Sequence, residues 1–404
     1  MMEPLLIQAL ALLIIAMLVA LAARFIRLPY TVGLVAIGIV LAATQHAGGI
    51  TLTQNFVFDF ILPPLLFEAA INLHWRELRD DLGAILTLAL LGTVIAAAAI
   101  TYGLHASLHW PLKSAAMFGI LIAATDPVAV MAMFKDNSIT GRIRLLTESE
   151  SLFNDGVAAV LFALALIWAQ SASGPAITPV FAIGTFLLTA GGGIFAGALC
   201  AGAALGIAGT TADHLVESTL TLVIAYGAFQ LAEHFGCSGV LATITAGLLV
   251  GNFGVLADDN ASRITSQGRE FALALWEFIA FIANSLIFLL IGISTARIPF
   301  ADLGATALAV IIGLVLLARA VSVYPLCLLF RFGRRPVSFA EQHVLWWGGL
   351  RGALGLALAL SLPDTLPLRN QILIATFGVV AFSVMVQGVT MPALLKRLRF
   401  IEGS

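Results

Sequence analysis

Long apolar stretches separated by short polar breaks run the whole length of this chain. A helix needs about 20 apolar residues to cross roughly 30 Å of bilayer hydrocarbon. That ruler lays out segments at 4–23, 29–44, 55–73, 83–104, 114–134, 144–170, 180–209, 216–233, 237–257, 270–296, 302–330, 339–361 and 370–395. These thirteen stretches use nearly the entire chain, so the pattern predicts an all-α polytopic membrane protein. Residues 1–404 are expected to form a single membrane domain with no separate soluble one. The first stretch is read as a retained helix, because Glu3 stands where a cleavable signal would carry basic residues.

Composition agrees with the pattern and narrows the function. Residues are 60% apolar and 10% charged, against about 25% charged in soluble domains. Twenty basic and 22 acidic residues leave a net charge of −2, which gives no footing for a nucleic-acid partner. The three cysteines show no CxxC spacing, and neither His-Glu-x-x-His nor Gly-x-Ser-x-Gly occurs. An enzyme is therefore not expected, nor is a cofactor. Fifteen Lys and Arg residues fall at one set of segment ends, while Lys113, Arg297 and Arg369 fall at the other. That asymmetry predicts a cytoplasmic C-terminus and an external N-terminus in the cell (inner) membrane.

Within the segments lie Asp59, Glu68, Asp126, Glu150, Asp155, Glu277, Arg319 and Arg351. Each costs at least ~2.5–3.5 kcal/mol at bilayer depth, so each needs a partner, water or a role. In the fifth segment Pro127 should break the helix at Thr125–Asp126. In the sixth, Ser151 and Asp155 are i, i+4 neighbours, as are Glu150 and Asn154. Such an oxygen-rich stripe suits Na⁺, Li⁺ or H⁺. In the twelfth, Gly348, Gly349 and Gly352 surround Arg351 and weaken a second helix. Segments five and twelve are seven apart, hence oppositely oriented. This predicts two inverted six-helix repeats, 4–170 and 216–395, joined by a linking helix at 180–209.

At these residues the sequence resembles the monovalent cation–proton antiporters of the CPA1 type. The matching pieces are LPPLLFEAAINL at 62–73, ATDPVAV at 124–130 and ESLFNDG at 150–156, followed by NSLIFLLIGI at 284–293, ARAVSVY at 318–324 and GGLRGALGLALAL at 348–360. They occur in the family's order and span nearly the full membrane domain. The resemblance implies that Asp155 is the carboxylate exchanging a monovalent cation for protons, with Asn154 beside it. It implies that Thr125 and Asp126 line the crossing of two unwound helices, the fifth and the twelfth, and that Ser151 and Glu150 contribute oxygens. Arg351 would supply the charge at the second unwound helix, and Glu68, Glu150 and Arg319 would form structural ion pairs whose pairing stays open. The Asn-Asp pair implies one cation for one proton, and the family implies a homodimer. Many members carry a long cytoplasmic tail, and tail-mediated regulation is not expected from these 404 residues.

The function expected is secondary exchange of Na⁺ or Li⁺ for H⁺, with cation and proton competing for Asp155. A K⁺/H⁺ or electrogenic exchanger of the same fold is the alternative. A cation channel is less favoured, because it gives no reason for a titratable Asp beside Asn.

Overall fold

The computed structural model describes residues 2–26, 29–44, 52–170, 178–258, 262–331 and 335–401. Arg27 and Arg334, two of the fifteen basic residues counted above, lie outside the described residues. The described residues are mostly helical, and no strand occurs among them. The first part comprises α1 (Met2–Ile26), α2 (Tyr30–Ala43), α3 (Leu62–Ile71), α4 (Trp75–Thr87), α5 (Thr93–Leu108), α6 (Leu112–Ala123), α7 (Val128–Asp136) and α8 (Arg142–Gln170). It continues with α9 (Pro179–Ala208), α10 (His214–His234), α11 (Gly239–Val250), α12 (Ser266–Arg297) and α13 (Ala305–Leu329). The last four helices are α14 (Phe339–Trp347), α15 (Ala353–Leu360), α16 (Arg369–Phe382) and α17 (Gly388–Arg397).

Single π-helical turns precede α3, join α4 to α5, follow α11 and join α16 to α17. Eight helices among the described residues are long and apolar enough to cross a membrane, and shorter apolar helices lie at Leu10–Ala23, Tyr30–Ala43 and Gly239–Val255. The fourth segment is longer than its apolar run. Trp75–Leu108 is continuous, because residues 75–82 form amphipathic turns that bury Leu78 and Asp81.

The helices sort into two bodies by their packing. In one, α12 lies along α2 and also meets α1, α3 and α10, while α11 packs on α3, α9 and α10. The α2–α12 approach is close because both helices present glycine. A Cβ at Gly38 would strike the Leu289 carbonyl, and one at Gly292 the Val35 carbonyl, the small-residue packing common between membrane helices. In the other body, α5 packs on α6 and α13, α6 on α8 and α15, and α13 on α14 and α16.

One end of this second body is tied by the buried Asp81. Its Oδ1 accepts from Arg142 at 2.8 and 3.0 Å and its Oδ2 from Arg335 at 3.2 Å. The bodies meet mainly where α8 touches α9 and α11 and where α12 touches α16.

Candidate ion-binding site

Two helices of the second body are interrupted, and the site is built where the interruptions meet. Pro127 brings no N–H and disfavours helix at the residue before it. The chain runs without helix through residues 124–127 before resuming as α7. Glycines weaken the second helix in the same way, and residues 348–352 connect α14 to α15 without helix. The two stretches touch directly, the Asp126 N–H donating to the Leu350 carbonyl at 2.8 Å. Gly352 is required here, since any Cβ would run into the Asp126 carboxylate.

Each break exposes unpaired carbonyls at one helix end and unpaired N–H groups at the next, with the matching dipole charges. The buried charges sit on those ends. Arg351 Nη1 donates to the Ala123 and Ala124 carbonyls, at 2.8 and 3.0 Å, at the C-terminal end of α6. Arg319 donates to the Leu345 carbonyl in the last turn of α14, at 3.0 and 3.3 Å. Asp126 serves the opposite polarity. Its Oδ1 accepts from the Val128 N–H at 2.9 Å and its Oδ2 from the Ala353 N–H at 3.4 Å, at the start of α7 and α15.

Two residues with no distinctive sequence signal complete this frame. The Arg351 N–H donates to Ser383 Oγ at 3.1 Å, and Gln387 Nε2 donates to the Trp347 carbonyl at 3.0 Å. Both lie in the π-helical turn between α16 and α17. A lone Ser or Gln in an apolar stretch does not announce such a task.

The stripe on α8 divides into bonded and unbonded members. Glu150 receives a two-pronged ion pair from Arg319, Nη1 to Oε1 at 2.8 Å and Nη2 to Oε2 at 2.7 Å, which settles the pairing left open by the sequence. Asn154 Nδ2 donates to Glu150 Oε1 at 3.1 Å and to Thr125 Oγ1 at 2.6 Å, while its Oδ1 accepts the Thr125 N–H at 3.1 Å. Asn154 thereby pins the first break to α8. Thr125 Oγ1 and Ser151 Oγ lie 2.9 Å apart.

A cavity of about 510 Å³ opens onto this crossing between the two bodies. Its acidic lining residues are Glu68, Asp126, Glu148, Asp155 and Glu277. Four of these are engaged: Asp126 as above, Glu68 with Asn72 Nδ2 at 3.0 Å, Glu148 with Arg144 at 3.6 Å, and Glu277 with Lys135. Among the described residues, no hydrogen bond or ion pair reaches the Asp155 carboxylate.

The expectation of an ion pair at Glu68 is corrected by this geometry. Glu68 faces the cavity and bonds an amide, and among the described residues no basic group lies within 4.0 Å of it. Glu277 bridges from α12 to Lys135 at the end of α7, and Asp59 accepts from Gln230 at 3.2 Å. No group of three or more His, Cys, Asp or Glu side chains suited to a metal ion occurs among the described residues.

The chain matches the family described as sodium/hydrogen exchanger, transmembrane, over residues 10–397. It is 40% identical over 397 residues to the Na⁺/H⁺ antiporter ApNhaP of Aphanothece halophytica, covering 96% of this chain and 73% of that protein. It is 33% identical over 415 residues to the Na⁺/H⁺ antiporter NhaH of Halobacillus aidingensis, covering 97% of each. The fold is similar to that of the sodium–proton antiporter MjNhaP1 from Methanocaldococcus jannaschii. That match has a TM-score of 0.77, 22% identity and coverage of 100% of both chains.

Proposed function

The chain belongs to the sodium/hydrogen exchanger family, a family of multi-pass membrane transporters, and on that premise we propose that it exchanges Na⁺ or Li⁺ for H⁺ with cation and proton competing for Asp155. The observation that carries this reading is the state of the acids around the cavity. Four of the five are committed to helix ends, amides or basic side chains, and Asp155 alone is uncommitted among the described residues. A carboxylate with no internal partner takes its partner from the cavity, and it can hold a proton or a cation but not both. Ser151 lies one turn before Asp155 on α8, and the Thr125 hydroxyl is 2.9 Å from the Ser151 hydroxyl. These neutral oxygens extend a hard-cation shell.

Exchange is electroneutral in this reading, one cation for one proton, because the neighbour of Asp155 is an amide. Asn154 is already consumed in bonds to Glu150 and Thr125 and brings no second titrating group. Glu150 and Asp126 act through position: Glu150 neutralises Arg319, and Asp126 caps two helix starts.

The body containing the two broken helices and α8 moves against the body built on α2 and α12, which exposes Asp155 to alternate sides. Thirteen crossings place the N-terminus outside and the C-terminus in the cytoplasm of the cell membrane. The repeats 4–170 and 216–395 are joined by the helix at 180–209. The paired duties of Arg351 on α6 and Arg319 on α14 support that internal symmetry. The outward apolar face of α9, with Val180, Leu188 and Phe195 exposed, supports a second copy as the partner in a homodimer.

The test is Asp155→Asn, reconstituted in proteoliposomes with the membrane potential clamped. Na⁺-driven proton flux is expected to vanish while the protein still assembles. Full-rate exchange by that variant would sink the proposal.

A further inference from the structure

The cation shell described so far comes from one wall of the cavity. Thr125, Asp126 and Asp155 belong to the body of broken helices. The opposite wall includes one face of α12, namely Leu273, Glu277, Ala280, Phe281 and Asn284, which recur at helical spacing along the cavity. Two of these are polar, and they differ in depth. Glu277 is two-thirds exposed and bonded to Lys135. Asn284 lies seven residues, or about 10 Å, further along the helix.

The Asn284 Oδ1 is buried and has no hydrogen-bond partner among the described residues. Leaving such a carbonyl unpaired costs on the order of 1–3 kcal/mol, and because Asn284 lines the cavity, a ligand arriving there would relieve that cost. Two other polar groups of this wall have partners, Asn72 Nδ2 in Glu68 and Glu277 in Lys135, and Tyr30, which bears a hydroxyl, lines the same wall.

We propose that Asn284 is a further cation-binding residue for the exchange, its amide oxygen entering the cation's shell from the wall opposite Asp155. This rests on the assignment of Asp155 as the exchanging carboxylate. A neutral oxygen fits both loaded states. It ligates an alkali cation held at Asp155, and it accepts a hydrogen bond from the protonated carboxyl, which has an O–H to give. That oxygen has nothing to offer a bare carboxylate, since both are then acceptors, and the side chain would have to turn its Nδ2 inward to meet one. The two loaded forms therefore draw the walls together and the empty charged form does not. That difference is what obligatory exchange requires, because only states with differential interaction energy shift a conformational equilibrium.

The experiment compares Asn284→Val with Asn284→Thr, two β-branched side chains of equal shape that differ in having an oxygen. Na⁺- and Li⁺-driven proton flux is measured in proteoliposomes against cation concentration, at equal amounts of inserted protein. For Asn284→Val the apparent KM for both ions is expected to rise about tenfold, equivalent to ~1.4 kcal/mol, with the maximal rate within about twofold of wild type. Asn284→Thr is expected to keep KM within about threefold. An unchanged KM in Asn284→Val, a fall in maximal rate alone, or equal damage in both variants overturns the proposal. Asp155→Asn run alongside separates the two claims. Its activity reports on the carboxylate assignment, whereas the Val–Thr difference reports on Asn284.

Discussion

The Glu150–Arg319 pair offers a quantitative test of how the site is held. Both side chains are nearly sealed from solvent, at 2% and 6% exposure, with two parallel contacts of 2.7 and 2.8 Å. Replacing Glu150 with Met strands a guanidinium whose other acceptor is the Leu345 carbonyl. Breaking a buried pair from one side costs about 3–5 kcal/mol, whereas removing both partners in favour of apolar side chains is often neutral or stabilising by ~1–4 kcal/mol.

Here the double replacement also leaves the Leu345 carbonyl without its donor, a loss of about 1–3 kcal/mol. The two terms roughly cancel. Glu150→Met and Arg319→Met should each destabilise by about 3–5 kcal/mol, and the double variant should lie within ~2 kcal/mol of wild type. The coupling energy of the cycle is then at least ~4 kcal/mol, well above the ~0.3–0.5 kcal/mol scatter of independent sites. The assay is thermal unfolding of the detergent-solubilised protein at one fixed scan rate, with all four forms compared. Additive losses in the double variant would refute the account of Glu150 as the counter-charge that permits Arg319 to serve the end of α14.

Two further outcomes follow from the geometry. Competition of one proton with one cation at Asp155 means that the apparent KM for Na⁺ falls as pH rises. Its limiting slope is about one decade per pH unit on the acid side, and a two-decade slope, or flux that responds to membrane potential, would contradict 1:1 exchange. The Lys135–Glu277 bridge is exposed on both sides, at 71% and 66%, so water and salt screen it. Lys135→Ala should therefore change stability by less than about 1 kcal/mol, measured as an unfolding midpoint in the same assay, and a large drop would show that the bridge holds the two bodies together.

Much of this molecule was legible in the chain because the physics involved is local. Whether a stretch can sit in hydrocarbon depends on its own side chains, so the helical membrane class followed from apolar runs and scarce charges. Pro127 and the glycines at 348–352 broke their helices where the sequence placed the breaks, because the cause lies in the backbone of those same residues. The Ser151–Asp155 and Glu150–Asn154 spacings put these residues on neighbouring turns of α8 for the same reason.

What the tertiary structure alone decided is which charge meets which. Arg319 and Arg351 sit in similar apolar surroundings in the sequence, yet one pairs with an acid 169 positions away and the other with the carbonyl end of α6. Glu68 looked like another ion-paired acid and instead faces the cavity beside Asn72. Asn284 stood in a matched motif with no task until α12 was seen to line the wall across from Asp155. Partner choice is a property of two helices brought side by side, and neither helix encodes the other's position. The charges themselves are written in the sequence, but their consequence, one cavity acid of five without a partner among the described residues, exists only once the bodies are packed.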